Sequence, residues 1–287
     1  MAGDVTQLIN GVSTLSGGTR QEVKNWRPWQ PKEIYQPNEK CPFCNLDSKR
    51  EVIRLGEGWM VLRNASTPFK KHELLLPADC WLEEKLRFLG GKTNLRFALQ
   101  YGLERIILSK DFPSFPTQFY THIGSGAGQN WRHHHWHICW PSVEPRPFIP
   151  NFRVPSEDQV INMTNNFISA VHGIYAGQTI IFPRFRSPEL IVNRLIDDDV
   201  FGDELLDEIF RTVELFNKKF KYPEPQDEVG RGPDYCLGFI LNSKDDWCVV
   251  YTPKLNNWGG SEIFAPICGT PYILPWPHSA TVEYLKK

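Results

Sequence analysis

Five of the chain's eight histidines lie between residues 122 and 137: His122, His133, His134, His135 and His137. Imidazole titrates near neutral pH, so such a cluster can supply a nucleophile, an acid, a base or metal ligands. From Asn130 to Trp140 aromatic, β-branched and imidazole side chains dominate, without glycine, proline or carboxylate. This predicts an extended strand entered from a glycine-rich turn at 124–128. Period two places Trp131, His133, His135 and His137 on one face and Arg132, His134, Trp136 and Ile138 on the other. Residues two apart on a strand are roughly 6.6–7 Å apart, so His133 and His137 are about 13 Å apart. That is too far to share an ion held at about 2 Å from each ligand. The pattern reads as three tasks along one line, with His135 presented to a substrate, and not as a cage of these three histidines.

The run Ala127-Gly128-Gln129-Asn130-Trp131-Arg132, followed by His133-x-His135-x-His137, resembles the signature of the histidine triad superfamily. The resemblance implies that His135 attacks the α-phosphorus of a nucleotide and carries the nucleotidyl group as a phosphoramidate. Imidazole suits this role because it is nucleophilic near pH 7 and leaves again when a second acceptor arrives. It further implies that Gln129, His137 and the amides of the turn at Gly128 hold charge developing on the phosphoryl oxygens. Two positions depart from the pattern. His122 stands, on the substrate side, where the family usually has asparagine. The third triad position is histidine, as in the triad hydrolases, where the uridylyltransferase branch has glutamine. An ionisable group there can protonate a leaving oxygen or assist water.

Cys41-Pro42-Phe43-Cys44 is a Cys-x-x-Cys knuckle, a spacing that lets two thiolates meet one zinc at about 2.3 Å. A redox pair competes with this reading, but no strand-then-helix pattern of thioredoxin type follows. Trp59 to Phe69 and His72 to Cys80 resemble the superfamily's paired strands, and Cys80 stands three residues after Pro77, where a histidine is usual. In the zinc-bearing uridylyltransferases that position and the first triad histidine complete the metal site. The resemblance therefore implies a closed, structural zinc site of Cys41, Cys44, Cys80 and His133. His72 matches a common family histidine and is read as structural.

Lys24 to Gln30 reads either as a surface stack or, by resemblance to the Arg-Pro-Trp-Gln segment of galactose-1-phosphate uridylyltransferases, as a phosphate contact. On the second reading Arg27 makes the contact and Lys24 supplies only a point charge. Asn64 is expected near the base and ribose. Glu262, in Trp258-Gly-Gly-Ser-Glu262, resembles a phosphorylase loop that reaches toward substrate; a plain turn with a capping glutamate fits it equally.

The elements that position these residues follow from pattern. Residues 81–110 read as helix broken at Gly90-Gly91 and 190–220 as a second amphipathic helix. Residues 1–20 read as an arm or covering strand. After the proline-rich stretch 141–155 the order of elements repeats: Gly177 to Pro183 echoes His72 to Pro77, and Tyr235 to Tyr251 echoes the strand pair ending in the triad. The second copy has Cys248, Val250 and Thr252 at alternating places and no histidine, so it is expected to be catalytically silent. The expectation is an α+β, histidine-triad-like fold with antiparallel sheet and helices on its faces. Its similar halves are 1–145, with knuckle and triad, and 146–287.

With 287 residues, 41% hydrophobic content and a net charge of -1, the chain can bury a full core and shows no basic stripe for a polynucleotide. It has no apolar run of membrane-spanning length and no signal-peptide order. Its seven scattered cysteines fit reduced thiols with a metal pair, hence a cytoplasmic protein. Together these readings give a nucleotidyltransferase that moves a nucleoside monophosphate from a sugar nucleotide or nucleoside polyphosphate to a phosphate or sugar phosphate. A nucleotidyl hydrolase and a zinc-stabilised nucleotide-binding module without turnover are the alternatives. The resemblance also implies a homodimer.

Overall fold

The computed structural model describes residues 4–9, 12–16, 41–46, 52–64, 71–81, 83–108, 117–124, 127, 129, 131, 133–140, 155–171, 177–184, 199–220, 222–224, 227–241, 247–255 and 278–286. In chain order its strands are β1 (Asp4–Ile9), β2 (Val12–Ser16), β3 (Val52–Arg54), β4 (Trp59–Arg63), β5 (Lys71–Pro77), β6 (Thr117–Ile123), β7 (Trp136–Trp140), β8 (Val160–Met163), β9 (Phe167–Val171), β10 (Thr179–Pro183), β11 (Tyr222–Glu224), β12 (Asp227–Arg231), β13 (Tyr235–Leu241) and β14 (Trp247–Pro253). The helices are α1 (Glu83–Arg87), α2 (Lys92–Ile107), α3 (Asp199–Lys219) and α4 (His278–Lys286). Ten strands form one sheet in the order β3-β4-β5-β7-β6-β13-β14-β10-β9-β8, every neighbouring pair antiparallel. The fold is α+β, as expected.

Alternation along the strands sorts side chains between two apolar clusters. Trp59 and Val61 of β4, Leu75 of β5, Phe119 of β6, Trp136 and Ile138 of β7 and Phe239 of β13 join the core formed with α2 and α3. Met60 and Leu62 of β4 and Leu74 and Leu76 of β5 join Cys41 and Phe43 on the opposite face. Each such side chain contributes roughly 1.5–3 kcal/mol when fully buried, which fixes the register, because a one-residue slip exchanges the faces. His72, Tyr120, His122 and His137 are one step out of phase with the helix-side residues. They therefore share the face turned away from α2 and α3.

Counted inward from either edge, the sheet has the same plan. The first five strands run β3-β4-β5-β7-β6 and the last five, from the other edge, β8-β9-β10-β14-β13. Leu74 lies opposite His137, and Ile180 lies opposite Val250 in the corresponding pair. Val250 thus occupies the place that His137 has in the first half.

Several expectations need adjustment. The histidine strand is β7, Trp136–Trp140, shorter than the predicted 130–140. The second long helix is described over Asp199–Lys219, and the expected residues 190–198 lie outside the described residues. β1 and β2 pair with each other as a separate hairpin. The break between α1 and α2 falls at Gly90-Gly91 as predicted.

Glu73 projects to the helix side of β5, where Arg105 of α2 meets both carboxylate oxygens at 2.6 and 2.7 Å. Burial alone would raise this carboxyl, but Arg105 and Lys71 hold it below the ordinary value of 4.5. Its stabilising contribution is therefore present above pH 4.5 and lost as pH falls through the lower folded value. Arg105→Ala is expected to cost about 2–3 kcal/mol in urea unfolding at neutral pH. The deficit should shrink on acidification below pH 4.5; a pH-independent deficit would assign the loss to packing instead of the ion pair.

Candidate active site

β7 begins at Trp136, the last residue it pairs with Leu75 of β5 and Thr121 of β6. Upstream of it, side chains take over the carbonyls that a longer strand would have paired. Thr121 Oγ1 donates to the His135 carbonyl at 2.7 Å. His135 Nδ1 donates to the His133 carbonyl at 2.8 Å, and His133 Nε2 donates to the Pro77 carbonyl at 2.6 Å. A carbonyl only accepts, so each bond fixes a tautomer of the neutral ring. His133 keeps its lone pair on Nδ1, and His135 keeps its lone pair on Nε2.

The His133 lone pair faces three thiols. Its Nδ1 lies 3.5 Å from Cys41 Sγ, 3.5 Å from Cys44 Sγ and 3.2 Å from Cys80 Sγ, and the Cys44 and Cys80 sulfurs are 3.4 Å apart. Ligands on one tetrahedral ion at about 2.0–2.3 Å sit roughly 3.3–3.8 Å from one another, so these four side chains fit a metal ion. The Pro77 carbonyl behind the ring is the outer partner such a ligand needs. Burial alone raises the Cys41 thiol, yet His133 and the amides of Phe43 and Cys44 bring it to about 6. Burial pushes Cys44 and Cys80 up, and the neighbouring Cys41 adds to the rise. A cation among three thiols would remove that penalty.

The second cluster holds the other triad rings. His135 packs edge-on to both His122 and His137, with centroids 5.3 and 4.9 Å away. Tyr120 stacks on His137 at 4.7 Å, and Phe43 of the knuckle lies 5.5 Å from both His133 and His135. His72 Nε2 bonds His137 Nδ1 at 2.8 Å, and Asn64 Nδ2 reaches His72 Nδ1 at 3.2 Å. Asn64 as donor makes His72 Nδ1 an acceptor and its Nε2–H a donor, so His137 Nε2 carries the proton. That nitrogen is buried with no partner among the described residues. Burial lowers His135 to about 4 against the opposing pull of the His133 carbonyl. Burial and the neighbouring His135 lower His122 to about 3 and His72 to about 4. The rings are neutral at pH 7, and His135 Nε2 is a free lone pair beside an N–H donor.

Gly124, at φ 90°, closes the turn before the triad, and a Cβ there would lie 2.0 Å from Asp234 Oδ1. Its N–H donates to Gln129 Oε1 at 2.8 Å and its carbonyl accepts from the Gln129 N–H at 3.1 Å. Gln129 thus staples the turn and leaves Nε2 buried without a partner among the described residues. His134 points to the helix side and stacks on Trp81 at 4.6 Å. Lys24, Arg27, Gly128 and Glu262 lie outside the described residues.

Reading the sequence separated His133 from His135 and His137 and placed the knuckle with Cys80. Asn64, expected near base and ribose, has its amide against His72. The sequence reading also missed Tyr120, Thr121 and Phe43. Tyr120 was legible by period two from His122 on the same strand; Thr121 was not, because its role depends on β7 ending early.

No family model and no curated protein matches the chain. Solved structures do. A GalT-like protein from Arabidopsis thaliana aligns with a TM-score of 0.62 at 16% identity, covering 86% of this chain and 91% of its own. The chain shares the fold of these structures. An ADP-glucose phosphorylase from Arabidopsis thaliana, with ADP-glucose bound, aligns at 0.62 and 15% identity over 88% and 92% of the two chains. A uridylyltransferase mutant aligns at 0.62 and 14% identity, also over 88% and 92%. No helix among the described residues is long and apolar enough to cross a membrane.

His134 tests how the fold treats a ring turned to the helix side. Both its nitrogens are buried without partners among the described residues. Replacing an unsatisfied polar group by an apolar one of similar shape removes a desolvation cost. His134→Phe is expected to be neutral or to stabilise by about 1 kcal/mol in chemical unfolding. A loss of several kcal/mol would mean that the ring nitrogens are bonded.

Proposed function

We propose that the chain is a nucleotidyltransferase working through a covalent nucleotidyl-histidine on His135. The observation that carries this is the tautomer of His135: a neutral, buried ring whose Nε2 lone pair is left free by the bond from Nδ1 to the His133 carbonyl. His135 Nε2 forms a bond to the α-phosphorus of a sugar nucleotide or nucleoside polyphosphate as the phosphorus–oxygen bond to the leaving phosphate breaks. The imidazolium charge that develops is held by the His133 carbonyl. His137 Nε2–H and the spare Gln129 amide donate to the phosphoryl oxygens. A phosphate or sugar phosphate then attacks the same phosphorus and His135 leaves. Lys24, Arg27, His122, Gly128 and Glu262 belong to the substrate side in this reading, with Asn64 acting on His137 through His72. The fold shared with an ADP-glucose phosphorylase supports a nucleotide-sugar donor.

The Cys41, Cys44, Cys80 and His133 group is assigned to structural zinc, whose bound form orders the knuckle and hence Phe43 beside His135. The mirrored strand order supports a division into halves at 1–145 and 146–287, the second without imidazole at the positions of His135 and His137. We further assign the protein to the cytoplasm and to a homodimer. Water as acceptor, which would make a nucleotidyl hydrolase, is the second reading. It is favoured by a histidine in place of glutamine at position 137.

Intact mass after brief incubation with ATP and with ADP-, UDP- and GDP-sugars, quenched at alkaline pH, should show a nucleoside monophosphate adduct. His135→Ala should show none. Product without adduct would favour the hydrolase, and neither adduct nor product would overturn covalent transfer from these donors. Metal analysis should give at least about one zinc per chain, held by the thiol group. Cys80→Ser should lose it together with several degrees of melting temperature; a metal-free protein with a Cys41–Cys44 couple that cycles with thiol reductant would overturn the zinc assignment.

A further inference from the structure

The period-two argument rules out a metal cage made of His133, His135 and His137, but the sheet assembles a different one. β6 and β7 pair Tyr120 with His137 and Thr121 with Trp136. One further step of that register sets His122 across from His135. His122, His135 and His137 each offer a ring nitrogen, and these nitrogens lie within 4.8 Å of one another. No thiol or carboxylate belongs to the group. His135 contributes Nε2, its Nδ1 being bound to the His133 carbonyl. His137 contributes Nε2, which is buried and without a partner among the described residues.

We propose that His122, His135 and His137 form a second metal site, distinct from the thiol cluster, for a divalent transition-metal ion that accepts imidazole nitrogen. Three nitrogens on a tetrahedral ion at about 2.0–2.1 Å lie roughly 3.3 Å apart, so the rings must close by about 1–1.5 Å. Rotation of the rings within the cluster provides this. Three protein ligands leave a fourth position open, which distinguishes this site from the closed thiol site and admits water or a phosphoryl oxygen. All-nitrogen donors suit zinc, cobalt and copper and do not suit magnesium or calcium.

His72 decides which state the cluster is in. With the proton on His137 Nε2, that ring is a donor and cannot ligate. With the proton on Nδ1, His137 donates to His72 Nε2 across the same 2.8 Å and frees its Nε2 lone pair. His72 then carries its own proton on Nδ1, and a half-turn of the Asn64 amide presents an oxygen to it. A ligating histidine whose far nitrogen donates to a neighbour is the usual support for a metal ligand. The metal takes the same Nε2 lone pair of His135 that nucleotidyl transfer needs, so it inhibits that reaction. This consequence rests on the proposed function; the binding itself does not.

Cobalt(II) titration of the metal-stripped full chain tests the site spectroscopically. The first equivalent should show thiolate-to-cobalt charge transfer from the cysteine cluster, and a second should add visible d–d bands without further charge transfer. His122→Asn should keep the first signal, which reports an intact fold, and lose the second. His72→Ala should weaken the second equivalent by roughly 10–100-fold. Inorganic phosphate should perturb the second set of bands and leave the first unchanged. A single equivalent in the wild type, or a second one that survives His122→Asn, would overturn the proposal. The adduct assay run with the second site empty and filled separates the two readings. A second equivalent with no adduct in either state supports the metal site and removes covalent transfer; adduct formation with no second equivalent does the reverse.

Discussion

Two backbone carbonyls, those of Pro77 and His133, govern the chemistry of this protein. Both are left over where the ladder between β5 and β7 stops, and each is capped by an imidazole N–H. A carbonyl cannot donate, so its partner ring has no choice of tautomer. The Pro77 carbonyl turns His133 into a ring that offers Nδ1 to three thiols. The His133 carbonyl turns the next-but-one ring into one that keeps its lone pair on Nε2. Adjacent histidines of identical chemistry are thereby given different tasks by nothing more than which nitrogen finds an oxygen.

The two clusters are coupled through short covalent and packing paths. Phe43 lies between Cys41 and Cys44 and touches the rings of both His133 and His135. The carbonyl that holds His135 belongs to the residue that faces the thiols. Ordering the knuckle and ordering the His135 ring are one event in this arrangement. On the other side of the site, the second half of the sheet supports the first: Gly238 of β13 leaves room for Tyr120, whose Cβ would be 2.8 Å from a Cβ placed there. Tyr120 in turn stacks on His137.

Much of this was legible in the sequence because period two is strict. The placing of His135 and His137 on a common face, the separation of His133 from His137 and the Cys41–Cys44 knuckle follow from spacing, whereas Cys80 was read from a family resemblance and the repeat of strands from the order of elements. The strand was drawn too long because composition records propensity and not the availability of a partner. His133 to His135 are extended enough to alternate, but the carbonyls of His133 and His135 are taken by side chains and the ladders with β5 and β6 stop at Trp136. The same shortfall hid Thr121, whose hydroxyl replaces a missing ladder bond. The proximity of His122 was hidden for a different reason: it depends on the register of β6 against β7, fixed by which apolar residues face α2, and a single strand read alone carries no register.

The mirrored sheet has its centre at the pairing of β6 with β13, along the whole length of both strands. Neither half ends in a natural border there. β3 and β8, the true borders, are short, and two of the three residues of β3 are exposed. β6 is longer and carries Phe119 and Ile123 on one side and aromatic and imidazole rings on the other. Without β13 it would present an unsatisfied row of amides and carbonyls of the kind that recruits another chain. β13 therefore serves as a permanent cover for an edge that would otherwise invite self-association.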